Sequence, residues 1–233
     1  MIDQKNMDRQ TQLKLHAAQR ALELVQSGMT LGLGSGSTAT LWIHLLGEQV
    51  RDHGLKIRAI ASSQDSERLG RSYGIPFITF DECQSVDLTV DGADEVAPGL
   101  ALIKGGGGKL LREKIVASAS KQFVVVADES KQVEKLGRFP LPVEVIPMAA
   151  PLVNDALHNL GFTTSVRLNQ QGERYSTDQG NLIIDCSSLI FEDPAGMAAK
   201  LDSIVGVVEH GLFLKMANLA LIAGATEVIE RSN

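Results

Sequence analysis

Lys104, the glycine run from Gly105 to Gly108, and Glu113 put a cation, side-chain-free backbone and a carboxylate into one short segment. Ala101-Leu102-Ile103 ahead of them reads as a short apolar strand, and the chain from Lys109 as a helix. Glycines at a strand-to-helix junction let backbone N–H groups come close to a ligand, and the helix N-terminus adds its positive dipole end. Lys104 sets a full charge beside those donors, and Glu113 can move a proton. Taken alone, the run is as readily a flexible turn, and Glu113 a solvated helix residue pairing with Lys109 one turn back. Chemistry gains weight because two more strand ends are marked.

Leu88-Thr89-Val90 leads into Asp91-Gly92-Ala93-Asp94-Glu95. With only glycine and alanine between them, Asp91 and Asp94 can both face a small polyol; the alternative is a plain Asp-Gly turn. Near the N-terminus, Leu31-Gly32-Leu33-Gly34 runs into Ser35-Gly36-Ser37-Thr38. Hydroxyls and amides at a helix start suit a phosphate, and Ser37 or Thr38 equally suits a helix cap. Dinucleotide sites look similar, but the acidic residue needed ~20 residues further on to hold a ribose is missing. Ile57 to Ala61 ends instead in Ser62-Ser63. That counts against NAD.

The elements that must position these residues alternate in type. Leu13 to Val25 and Ala39 to Arg51 carry apolar residues at helical spacing, and Ser62-Ser63 starts a helix that runs to Tyr73. Thr30 to Leu33, Ile57 to Ala61, Ile75 to Thr79, Val86 to Val90 and Phe123 to Ala127 read as strands, the last as a buried parallel one. Strands alternating with helices predict an α/β fold with a doubly wound, Rossmann-like, mostly parallel sheet, whose ligands sit at the C-terminal strand ends. All the marked loops are expected there. After Phe139 to Pro147 a β-α-β-β-α-β run follows, from Val143 to Glu209, predicting a second, smaller α+β domain of ferredoxin-like type. The expected division is residues 1–140 plus 211–233 for the catalytic domain and 141–210 for the small one.

Composition narrows the function. The 233 residues are 44% hydrophobic, which suffices for a sizeable core, and the net charge of −6 argues against nucleic acid as a partner. An acidic chain that binds an anion must concentrate positive charge locally, and Lys104 and Lys131 are the evident suppliers. Lys14 reads as a surface lysine of the first helix. Cys83 and Cys186 form no CxxC pattern, and the five histidines lack metal-ligand spacing, so neither metal nor other cofactor is expected. Met1 to Gln12 has no apolar leader core, and no run reaches the ~18 apolar residues of a membrane span. A cytoplasmic protein without a membrane partner is expected.

The three strand ends, in this order, closely resemble ribose-5-phosphate isomerases of the A type. Ala127-Asp128-Glu129-Ser130-Lys131, Phe139 to Pro147 and Gly211-Leu212-Phe213 extend the resemblance over nearly the whole chain. It implies interconversion of D-ribose 5-phosphate and D-ribulose 5-phosphate in the non-oxidative pentose phosphate pathway, by a homodimer or homotetramer without cofactor. Glu113 is then the carbon base, Asp91 serves ring opening and proton shuttling, and Asp94 holds hydroxyls or positions Lys104. Lys104 stabilises the enediolate oxygen. Ser35, Gly36, Ser37 and Thr38 hold phosphate; Asp91, Gly92, Ala93, Asp94, Lys104, Gly105, Gly106, Gly107 and Lys131 contact substrate. Two departures stand out: Ser35 where threonine is commoner, and Lys109 where a small residue is. A non-catalytic sugar-phosphate sensor is the alternative from another class, but such regulators carry a helix-turn-helix segment ahead of the sensor, and the phosphate loop here begins near residue 32. An isomerase or lactonase for another phosphosugar is the third reading.

Overall fold

The computed structural model describes residues 7–232, which divide into two compact units. Met1 to Asn6, half of the segment read for a leader, lie outside the described residues. Among the described residues, one unit comprises 7–93, 112–132 and 215–232, the other 94–111 and 133–214.

The first unit is built on strands β1 (Thr30–Leu33), β2 (Arg58–Ala61), β3 (Val86–Gly92), β6 (Ser120–Asp128), β12 (Leu219–Ala223) and β13 (Val228–Ser232), ordered β13-β12-β6-β3-β1-β2. All neighbours are parallel except β12 and β13. Leu31 pairs with Leu88 and Val90 with Val124, so continuous apolar runs line a core that also takes Trp42, Ile43 and Leu46 from helix α2 (Gly36–His53). Helix α1 (Arg9–Leu22) is capped by Asp8, which accepts the Thr11 N–H at 2.8 Å, and buries Leu13, Leu15, Ala17, Ala18 and Ala21. Helix α3 (Gln64–Ser72) is capped in the same way by Ser63. From β1 the chain passes to β2 on one side, then returns to β3 on the other. The carboxyl ends of β1 and β3 therefore form the topological switch point, the usual ligand crevice of such sheets.

The second unit holds two antiparallel sheets. β4 (Glu95–Ala97), β5 (Ala101–Ile103) and β11 (Leu212–Phe213) form one, ordered β11-β5-β4. β7 (Leu141–Val145), helix α5 (Ala150–Asn159), β8 (Thr163–Val166), β9 (Leu182–Ser187), helix α6 (Pro194–Asp202) and β10 (Val207–His210) form the other, with strand order β10-β7-β9-β8. That is the order fourth-first-third-second of a ferredoxin-like β-α-β-β-α-β unit. Its core takes Val143, Val153, Leu157, Ile184 and Leu201 together with Ile103 and Leu212.

Three sequence expectations change. The strand before the glycine run, β5, is not in the parallel sheet: it pairs with β4 and β11, and the backbone of Lys104 bonds to Gly211, whose N–H reaches Pro142. This ladder draws residues 94–111, 133–140 and 211–214 into the second unit, beyond the expected 141–210. Ile75 to Thr79 makes only an isolated bridge, Ala59 to Phe77, rather than a strand. Helix α2 begins at Gly36 with Ser35 at its N-cap position, two residues before Ser37 and three before Thr38, the caps that the sequence suggests. No helix among the described residues is long and apolar enough to cross a membrane.

Candidate active site

In the first unit the switch point is tied together by one carboxylate. Asp91, 1% exposed at the end of β3, accepts the Ser35 N–H at 2.9 Å and the Gly92 N–H at 2.7 Å, both through Oδ1. Gly34 lets the strand end lie this close: a Cβ there would stand 2.5 Å from Cα and Cγ of Asp91. The Ser35 hydroxyl lies 2.7 Å from that of Ser62 at the end of β2, and Ser66 closes the cluster by donating to the Gly34 carbonyl at 2.6 Å. Ser62, which stands where a dinucleotide site would need an acid, here holds the loop. Gly36 and Ser37 are exposed, so the first turn of α2 offers N–H groups and the Ser37 hydroxyl, while Thr38 is buried beside them in sequence. Ala93 is the last residue of this unit before the chain crosses to Asp94.

Glu113 belongs to the same unit, in the first turn of helix α4 (Leu110–Ser118), and is 6% exposed. The unit boundary falls within this helix. One residue earlier, Arg112 donates to the Ala61 carbonyl at 3.0 Å, anchoring the helix start against the end of β2. Lys131, half-buried, closes the short 3-10 turn Glu129–Lys131 after β6, whose N-cap is Asp128.

In the second unit the glycine run is a folded loop. Gly108 donates its N–H to the Gly105 carbonyl at 2.9 Å, and both residues take positive φ. Asp94 accepts the Gly106 N–H at 2.7 Å through Oδ2, while its own N–H reaches the Ile103 carbonyl. Lys104 is 2% exposed, and its ammonium sits 5.5 Å from the centre of the Phe213 ring, a cation–π distance. Lys109, the departure noted above, meets Asp178 at 2.6 Å, a pair whose side chains are 16% and 10% exposed. The β8–β9 segment thus reaches the loop, which sequence reasoning missed entirely: Tyr175 donates to the Gly107 carbonyl at 3.4 Å, and Arg167 to those of Gly105 and Gly106 at 2.9 and 3.0 Å. Histidine spacing in the sequence offered no ligand set, yet the fold brings Asp202, Glu209 and His210 within 4.8 Å of one another. His210 accepts the Leu212 N–H on Nδ1 and faces Asp202 with Nε2, so both ring nitrogens are engaged.

The structure thus brings Ser35 to Asp91, and Gly106 to Asp94; the remaining candidates are divided between the two units. Residues 58–227 match the family model described as ribose 5-phosphate isomerase A (phosphoriboisomerase A). A ribose-5-phosphate isomerase A of Nitrobacter hamburgensis is 49% identical, over 94% of this chain and 97% of its own. The chain belongs to the ribose 5-phosphate isomerase A family. The solved structure of the Methanocaldococcus jannaschii ribose 5-phosphate isomerase A superposes with a TM-score of 0.91 at 42% identity, covering 95% of this chain and 99% of the other. A D-ribose-5-phosphate isomerase solved in complex with phospho-erythronic acid gives 0.93 at 34% identity, covering 97% and 100%. The family match takes in Asp91, Asp94, Lys104, Glu113 and Lys131, and begins after the Ser35–Thr38 segment.

Proposed function

We propose that this chain interconverts D-ribose 5-phosphate and D-ribulose 5-phosphate through a cis-enediolate. The observation that carries the reading is the burial of Lys104 and Glu113, 2% and 6% exposed at the two ends of one glycine loop and helix start. Withdrawing a carboxylate and an ammonium from water is costly, and a reaction that creates and quenches an oxyanion gives both a use.

In the open-chain aldose, the Glu113 carboxylate takes the C2 proton. The C–H electron pair becomes the C1=C2 double bond, and O1 becomes an oxyanion. Lys104 and the glycine-loop amides stabilise that charge. Asp91, fixed by the Ser35 and Gly92 amides, passes the proton from O2 to O1, and Glu113 returns its proton to C1 to give the ketose. Asp94 holds hydroxyls while steadying Gly106. The start of α2, with the hydroxyls of Ser37 and Thr38, takes the phosphate, and Lys131 adds a substrate-side cation. The phospho-erythronic acid of the related complex carries a phosphate and a planar anionic carboxylate. Those are the two charged features of a pentose-phosphate enediolate.

Proton NMR on ribose 5-phosphate in D2O tests the reading: ribulose 5-phosphate should appear, with deuterium entering at carbon. The absence of both interconversion and exchange would overturn it. We further infer a cytoplasmic homodimer or homotetramer, which light scattering after size exclusion distinguishes from a monomer.

A further inference from the structure

Arg167 lies 62 residues beyond Gly105 in sequence and directly follows β8, yet its guanidinium is spent on the glycine loop. Nη1 donates to the carbonyls of Gly105 and Gly106 at 2.9 and 3.0 Å. Nε donates to Oδ2 of Asp185 at 2.9 Å and Nη2 to Oδ1, a two-pronged pair with a residue of β9. The side chains are 14% and 20% exposed. The backbone of Arg167 is itself pinned, its N–H to the Ile183 carbonyl and its carbonyl to the Tyr175 N–H, each at 2.9 Å.

The consequence follows from peptide geometry. In a trans peptide, C=O and N–H point in opposite directions. The Gly105–Gly106 peptide is held at both ends: its carbonyl by Arg167, its N–H by Asp94 at 2.7 Å. The Gly106–Gly107 peptide has its carbonyl on Arg167, so the Gly107 N–H is aimed away from the guanidinium. Gly107 is exposed, and a Cβ there would meet nothing within 4 Å. Of the peptides in this loop, one therefore braces Asp94 and the next presents a donor outward. Both orientations depend on the same guanidinium.

We propose that Arg167, backed by Asp185, is a positioning residue of the isomerase: it sets the peptide planes that aim the Gly107 N–H at the substrate oxygen and hold Asp94 in place. This rests on the isomerase reading above. Lysine cannot replace the arginine, because one ammonium cannot fork to two carbonyls while also gripping both oxygens of Asp185.

The test uses Arg167→Lys and Arg167→Ala beside the wild type on ribose 5-phosphate. A misaimed donor costs rate more than affinity, so kcat should fall by ~10²-fold with KM within about threefold. Melting temperature in Arg167→Lys should stay within a few degrees. Millimolar guanidinium ion should restore part of the Arg167→Ala rate, and Asp185→Asn should cost nothing further in the Arg167→Ala background. Wild-type kcat in the folded Arg167→Lys enzyme, or a loss of thermal stability with no guanidinium rescue, would overturn the proposal. An inactive wild type would instead remove the isomerase reading itself, so the two failures are told apart.

Discussion

The Oδ1 atom of Asp91 accepts the Ser35 amide at 2.9 Å, and through that one bond the acid at the end of β3 is tied to the start of α2. A group proposed to shuttle protons thus also shapes the loop proposed to hold the phosphate. The two duties separate chemically, because accepting a hydrogen bond needs only a carbonyl oxygen, whereas moving a proton needs a titrating one.

Asp91→Asn should therefore keep the scaffold and lose the chemistry. Its amide oxygen can still accept from Ser35 and Gly92, so the melting temperature should hold within a few degrees while kcat falls by roughly 10²-fold or more. Asp91→Ala should lose both, since two backbone donors are left without their acceptor. Differential scanning fluorimetry and steady-state kinetics on the two variants check the split. An Asn variant that unfolds like the Ala variant would make the residue structural.

Glu113→Gln removes the base and little else. We expect kcat to drop by about 10³-fold with KM nearly constant, because proton abstraction belongs to the transition state rather than to binding. Solvent deuterium exchange into ribose 5-phosphate should fall in parallel with turnover. Exchange at the wild-type rate would move the base elsewhere.

The phosphate assignment is tested by the Ser37→Ala, Thr38→Ala double variant. The backbone amides of α2 stay, and two hydroxyl donors go, each worth about 1.5–3 kcal/mol when bonded to a charged group. KM for ribose 5-phosphate should rise at least tenfold, whereas the poor turnover of unphosphorylated ribose should be unchanged. Equal losses on both sugars would mean that the loop shapes the site generally.

The candidate residues stand out in the sequence because chemistry and spacing coincide at strand ends, although a plain turn or cap explains each of them locally. The runs that became β1, β3 and β6 needed only local pattern, whereas roles for Asp91 and the Ser35–Thr38 segment came from the family resemblance. What the pattern missed is non-local. Ala101-Leu102-Ile103 reads as a strand in any sheet, and only its pairing with β4 and β11 assigns it to the second unit. Ile75 to Thr79 has strand composition, but one bridge at Phe77 is all the pairing it finds. Arg167 and Asp178 carry no local signal at all, since their partners stand 62 and 69 residues away. Lys109 looked like an added charge at the helix start; its ammonium is matched by Asp178.

One buried carboxyl, that of Glu144, has no part in the proposed reaction. Glu144 on β7 is fully buried, and its Oε1 accepts from Thr177 Oγ1 and Asn181 Nδ2, both at 2.9 Å. Those two residues frame the turn that carries Asp178. Burial pushes the Glu144 carboxyl above its ordinary value; the Asn181 and Thr177 hydrogen bonds oppose this, and Glu209 and Asp178 add to the rise. Where the folded value exceeds the unfolded one, the folded state binds more protons, so stability is fully present below the ordinary glutamate range, near about pH 4.3, and is lost as pH rises through the folded value. Glu144→Gln cannot titrate. Its amide can still accept from Thr177 and Asn181, but its NH2 takes the place of Oε2, which has no partner among the described residues, so the variant pays a cost that does not vary with pH. The unfolding free energy of wild type minus that of the variant should then decline with rising pH, by up to ~1.4 kcal/mol per unit across that window, while the titrations not coupled to Glu144 cancel in the difference. Urea unfolding of both proteins from about pH 4 to pH 8 measures it. A difference that stays flat, or that grows with pH, would mean Glu144 is ionised in the folded protein at no cost, and that burial does not govern it.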